Sequence, residues 1–326
     1  MDRRFFCGGA SALMLVPLAA RAADPFPTKP VRVISPYAAG GGPDVQLRQA
    51  GPTFGEALGQ SIVIENKVGA AGVLAAQYVA QAAPDGYTLL MGSNTHLIQK
   101  ILQPDLKFDP VADFVPVSNL ASSPTVLVVR ADGPYQRFDD LLADAKAKPG
   151  SMNYGSGGIG TSAHLAGATL ASLASLKVTH IPLKGSVEIA ASLLRGDTQY
   201  AFPVAGTAMP QVKGGKLRAL AVTSRQRLKQ LPDVPTLYEL MDRNELAVQE
   251  SWFGLWAPAK TQADIVATLH AAISKTIQTA SVRAAFEAAG NEATLSESPQ
   301  AFAAFVRSEN RKWAEIIKLT GVTAAS

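Results

Sequence analysis

Residues 31–44 read VRVISPYAAGGGPD. The run VRVIS predicts a strand, since β-branched residues fit a pleated surface. The glycines behind it let the chain turn sharply into a helical stretch from Asp44. The same order returns downstream: SIVIE (61–65) predicts a strand, GVLAAQYVAQAA (72–83) a helix and YTLLMG (87–92) a third strand. Strand, helix and strand in this succession imply a parallel sheet with helices on its faces. Pro52, near the middle of the first helix, is expected to kink or shorten it.

A second set opens with TVLVVR (125–130) as a strand. FDDLLADAKAKPG follows as a helix, then MNYGS as a strand, TSAHLAGATLASLAS as a helix and KVTHIPL as a strand. GSVEIAASLLRG predicts a further helix, with TQYAFP and LRALAVT as strands. The C-terminal part returns to helix over SPQAFAAFVRSENRKWAEIIKLTG. Ser298 is its expected N-cap, Pro299 its first residue and Gly321 its stop. Phe302, Phe305, Val306, Trp313, Ile316 and Ile317 form a stripe at helical spacing that packs on a core. The fold class is therefore α/β, in two lobes. Lobe 1 takes residues 24–123 and 249–326, lobe 2 takes 124–248, and strands cross between them.

The N-terminus reads MDRRFFCGGASALMLVPLAARAADPFP. A basic start, a short apolar run and small residues in ARAAD predict a secretory signal over residues 1–22, cleaved on export. The apolar run is shorter than the ~20 residues a membrane span needs. RRFF also resembles a twin-arginine signal, so the Sec and twin-arginine routes both stay open. The single cysteine, Cys7, lies in that signal, so the exported chain has no disulfide and no thiol metal ligand. The formal charge of +4 falls to +2 once Asp2, Arg3, Arg4 and Arg21 are removed. The remaining charges are interspersed, with no basic cluster to follow a nucleic-acid backbone. These features predict a soluble exported protein, expected to be a monomer.

Two glycine loops join a strand's carboxyl end to a helix start: PYAAGGGPD and GSGGIGTSAH. Helix starts offer unsatisfied N–H donors and a partial positive charge, which suits an anion. GSGGIG alone matches a dinucleotide-binding turn. That reading requires an acidic residue about 20 positions on, and LKVTHIP (176–182) has none. A carboxylate is the better guest. The four histidines, His96, His164, His180 and His270, show no metal-binding spacing, and no nucleophile elbow or P-loop occurs. His164 stands near a helix start, where it either donates to an anion or sits as a partly buried helix residue. His180 is expected to be structural and His270 packed or solvated. No catalytic residue, cofactor or metal is assigned.

Several long stretches resemble the tripartite tricarboxylate transporter receptors, the Bug proteins. They are FPTKPVRVISPYAAGGGPDVQLR, VIENKVGAAGVLAAQYVAQAAPDGYTLLMGS, AKAKPGSMNYGSGGIGTSAHLAG, GKLRALAVTSRQRLKQLPDVPTLYEL and SWFGLWAPA. The resemblance runs from about residue 26 to the C-terminus. It implies a two-lobed periplasmic binding protein of the Venus-flytrap type that closes on a small carboxylate. It also implies a paired membrane permease, or an orphan receptor without one. Mapped by motif, the ligand-binding residues are Tyr37, Ala39, Gly40, Gly41, Asp44, Ser93, Thr95, Ser156, Gly158, Thr161, His164, Lys184 and Pro203. The chain departs from the family pattern at Pro43, Leu183 and Pro203. An aspartate at the position of Pro203 resembles the amine-recognising group of members that bind amino acids or amides. The expected ligand is therefore a carboxylate without an amine. The competing readings are an exported hydrolase on the same fold and a receptor that signals to a membrane sensor.

Overall fold

The computed structural model describes residues 26–40, 42–183 and 186–324. The expected signal at 1–22, Gly41, Lys184 and Gly185 lie outside them. The chain first alternates β1 (Val31–Ser35), α1 (Gly42–Leu58), β2 (Ile62–Asn66), α2 (Val73–Ala80), β3 (Thr88–Ser93), α3 (Asn94–Leu102) and β4 (Phe114–Pro124). It continues through β5 (Val126–Arg130), α4 (Phe138–Ala147), β6 (Met152–Ser156), α5 (Ser162–Leu173), β7 (Val178–Pro182), α6 (Ser186–Arg195), β8 (Tyr200–Ala201), α7 (Ala205–Lys213), β9 (Leu217–Val222) and α8 (Leu237–Leu240). It returns as β10 (Glu250–Pro258), α9 (Ala263–Gln278), α10 (Ala280–Ala288), β11 (Glu292–Ala293) and α11 (Pro299–Thr320).

Among the described residues these strands form two sheets. One has the order β11-β4-β10-β3-β1-β2, the other β7-β6-β8-β5-β9. The expected parallel pairing holds for β1 with β2 and β3, and for β6 with β7 and β8. β10 is antiparallel to β3 and β4, and β5 is antiparallel to β8 and β9, so both sheets are mixed. The chain passes between sheets twice. Thr125 alone separates β4 from β5, and Gln249 leads back into β10. The crossings lie side by side: Thr223 donates its N–H to the Thr125 carbonyl at 3.0 Å, and Gln249 donates its own to the Thr223 carbonyl at 2.9 Å.

Two expectations need correction. Pro52 does not end α1, which runs to Leu58. Pro52 is exposed on the helix, and Phe54 and Leu58 beyond it are buried in the core, which holds the last turns in place. TQYAFP contributes only Tyr200–Ala201 to the ladder. Pro203 has no N–H to continue it, and its carbonyl instead accepts the Val126 N–H at 2.9 Å. The C-terminal helix keeps its expected ends: Ser298 accepts the Ala301 N–H, and Gly321 caps the helix in the left-handed region at φ 65°.

Packing couples the two halves. One core lies on the second sheet, between Val126 and Ala247. Two flank the first sheet, and one of these joins Leu97, Ile98, Trp252, Phe302 and Trp313 to Leu165 and Ala168 of α5. The start of α5 is thus docked on the first sheet's helices α3 and α11.

Candidate functional site

Because β1 and β3 pair in parallel, Arg32 opposite Thr88 and Ile34 opposite Leu90, their carboxyl ends lie together. The starts of α1 and α3 share that end. Asp44, in the first turn of α1, organises the loop before it. Its buried carboxylate accepts the Gly40 N–H at 2.9 Å, Arg48 Nε at 2.9 Å and Asn66 Nδ2 at 2.5 Å. Burial opposes its ionisation, but these donors from Arg48, Asn66 and Gly40, with the Arg48 charge, hold its carboxyl below the usual range. Both oxygens are engaged, so Asp44 shapes the loop and the Gly40 amide is already used. Ala39 is exposed beside it. Tyr37 packs edge-on against Phe253 with centroids 5.9 Å apart. Burial pushes its phenol up to about 12, against the opposing effect of the Ser93 hydroxyl.

Ser93 ends β3 and caps α3, and its N–H donates to His96 Nδ1 at 3.1 Å. His96 is therefore an acceptor at Nδ1, and burial lowers its pKa to about 4. Thr95, half-buried, follows in the first turn.

In the second sheet the loop after β6 is held from beneath. The Ser156 hydroxyl accepts the Gly158 N–H at 3.1 Å and lies 2.7 Å from His180 Nε2. The Thr161 hydroxyl donates to the Gly158 carbonyl at 2.8 Å and accepts the His164 N–H at 3.3 Å, capping α5. The Gly160 N–H donates to His164 Nδ1 at 3.1 Å. His164 and His180 stack with centroids 3.8 Å apart and planes 13° apart. Burial, with the neighbouring ring as the second cause at His164, holds both well below the ordinary imidazole range. Gly158, at φ +120°, has open space where a side chain would begin.

The second loop meets the first lobe through α3. Asn94, the first residue of α3, donates Nδ2 to Ser162 Oγ at 3.0 Å, and Ser162 is the first residue of α5. Gln99 Nε2 donates to the Ile159 carbonyl at 3.1 Å. Helix starts from both halves are thus brought within side-chain reach of each other, with neutral histidines behind them. Convergent N–H donors and aligned peptide dipoles favour a negative group there. Among the described residues no group of three or more His, Cys, Asp or Glu is placed to hold a metal ion.

Measured against the sequence reading, the same two loops are present, but several assigned donors are occupied within the protein. Gly40, Asp44, Ser156, Thr161 and His164 all spend polar atoms on their own loops. His164 is neutral, with Nδ1 as acceptor, and so offers an anion no charge. Pro203 is buried at the crossing, with its carbonyl bound to Val126. Gln99, Ser162 and His180 were not assigned to the site by sequence.

Two mixed sheets joined by paired strand crossings, with a helix start from each half brought together between them, define a two-lobed periplasmic binding protein. The profile described as "Tripartite tricarboxylate transporter family receptor" matches residues 46–322. A Cupriavidus necator protein of the gbd 5' region is 37% identical over 334 residues, covering 100% of both chains. A Rhodopseudomonas palustris protein solved with adipate superposes with a TM-score of 0.84 at 29% identity, covering 91% of this chain and 99% of that one. The malate-bound MatC of Rhodopseudomonas palustris gives 0.79 at 31% identity, covering 90% and 100%. The chain belongs to the tripartite tricarboxylate transporter receptor family, whose members are periplasmic solute-binding proteins. Among the described residues no helix is long and apolar enough to cross a membrane.

Proposed function

We propose that this protein captures a small dicarboxylate between its lobes, residues 24–123 with 249–326 and residues 124–248, and closes on it by rotation about the two crossings. The meeting of the α3 and α5 starts at Asn94 and Ser162 carries this reading, because it turns two sets of helix-start amides toward one space. Ala39, Gly41, Thr95, Gly158 and Lys184 supply the contacts, and Tyr37 forms a wall. The adipate and malate bound by structural neighbours support a dicarboxylate. Pro203 has no charged group to meet an amine, so amino acids and amides are excluded. After export in the periplasm, a monomer delivers the ligand to a membrane permease and leaves it chemically unchanged.

Calorimetry with adipate and malate, beside an amino acid and nicotinamide, tests this. Micromolar binding of a dicarboxylate is expected, about −8 kcal/mol, with the ligand recovered intact. Tight binding of the amino acid or the amide, with neither dicarboxylate bound, would overturn it.

A further inference from the structure

The carbonyl of Ile159 and the N–H of Gly160 belong to one peptide group. Its oxygen accepts from Gln99 Nε2 of the first lobe at 3.1 Å, and its hydrogen goes to His164 Nδ1 of the second at 3.1 Å. A rigid planar unit bonded at both ends cannot turn, so the torsions on either side of it, ψ of Ile159 and φ of Gly160, are restricted as well. The Gln99 amide is itself oriented, since its Oε1 accepts Gln103 Nε2 at 2.9 Å. That leaves the donor end facing the loop. Gly160 fits the same picture. At φ +74°, a Cβ there would lie 2.6 Å from Gln99 Nε2, 2.9 Å from Leu102 Cδ1 and 3.3 Å from Ile98 Cγ2. At the last glycine of GSGGIG the positive φ and the close approach of α3 both disfavour a side chain, whereas at Gly158 only the backbone conformation does. Asn94, fully buried, adds a second tie one turn closer to the crossings.

We propose that Asn94 and Gln99 are positioning residues: α3 of the first lobe imposes the shape of the second lobe's ligand-gripping loop. The loop is then competent to bind when its own lobe is seated on the other, and affinity is coupled to lobe docking through two side-chain amides. The inference rests on the dicarboxylate reading for its affinity effect, but its effect on the loop is independent of any ligand.

The test uses Gln99→Glu, which replaces the donor with an acceptor, and Asn94→Leu, which removes the donor; both nearly keep side-chain size. Lys100→Ala on the same helix is the control, since its ammonium bonds the Pro104 and Leu106 carbonyls at the far end of α3. Hydrogen exchange of the unliganded protein is expected to rise at residues 156–162 in both variants and to stay unchanged over β5 and β9. The Kd for adipate or malate is expected to weaken about tenfold, as for a buried acceptor left unmatched, and Lys100→Ala changes neither reading. Unchanged exchange at 156–162 overturns the proposal, whatever the Kd. A rise spread evenly over the second lobe overturns it too, since that marks loss of stability in place of positioning. If the loop loosens but dicarboxylate affinity holds, the coupling to binding is overturned. Should the unaltered protein bind neither dicarboxylate, the functional reading fails while the exchange result still decides whether α3 shapes the loop.

Discussion

Two imidazoles stacked 3.8 Å apart, as His164 and His180 are, cannot both carry charge. Two positive rings at that distance repel by about 4 kcal/mol even at an effective dielectric of about 20. The Gly160 N–H also requires a lone pair on His164 Nδ1, so protonation there releases the loop. His96 is likewise neutral, its pKa lowered by burial to about 4. For all three the folded pKa lies below the unfolded value of about 6.5. The unfolded chain then binds more protons, and stability falls as pH drops from about 6.5 towards the folded values, by up to about 1.4 kcal/mol per pH unit for each ring. Glu250 works in the opposite sense, because burial raises its carboxyl. Urea midpoints at pH 7.5, 6.0 and 5.0 should decline in that order, and a flat profile would refute the neutral trio. At Thr161, replacement by alanine should cost about 1 kcal/mol through loss of the α5 cap and weaken dicarboxylate binding. Serine should preserve both, as melting and calorimetry on the two variants can read.

Helix α11 shows what a larger unit adds. Of its expected stripe Phe302, Val306, Trp313 and Ile316 are buried, whereas Phe305 is exposed and Ile317 half-buried, and Glu309 is buried among them at 6% exposure. Its Oε2 accepts Trp252 Nε1 at 2.8 Å and Trp313 Nε1 at 3.0 Å, and Lys312 pairs with the other oxygen. Glu309→Leu should strand two indole donors at about 1–3 kcal/mol each, while Glu309→Gln, which keeps an acceptor oxygen, should cost less. Equal urea midpoints for the two variants would contradict this. The strand and helix alternation of both halves was legible in sequence because each element carries its own period. β4 was not legible: FVPVSNLASSP is covered on both faces, and its pairing with β10 shifts register near Gly254 and Trp256, so no alternation survives. Glycine loops announce themselves locally, whereas Gln99 and Asn94 lie 60 and 68 positions from their partners and follow no local pattern. Glu309 escaped notice for a related reason, since a carboxylate on an apolar face reads as solvated until its indole partners are known.

At the scale of the whole molecule, both crossings converge on one hydroxyl. Thr223 Oγ1 accepts the Thr125 N–H at 2.9 Å, on the outgoing strand, and bonds the Gln249 carbonyl on the returning one. All three residues are buried. Rotation of one lobe against the other must therefore bend about a point where two strands are stitched together. The docked start of α5, with the second glycine loop before it, stands to one side of it. A pivot of this kind permits closure along one direction and resists shear, which keeps the paired helix starts in register as the lobes approach. Thr223→Val keeps the side-chain shape but removes the stitch, leaving the Thr125 N–H and Gln249 carbonyl unmatched at a cost of about 1–3 kcal/mol. The unliganded variant should then sample a wider spread of lobe orientations, seen as a larger radius of gyration in solution scattering. Adipate at about 100 times its Kd stabilises the closed form by about 2.7 kcal/mol, enough to offset most of that loss. Variant and parent should therefore scatter alike once saturated. An unliganded radius equal to the parent's, beside a lowered urea midpoint, would mean that Thr223 holds the fold together without setting how its halves move.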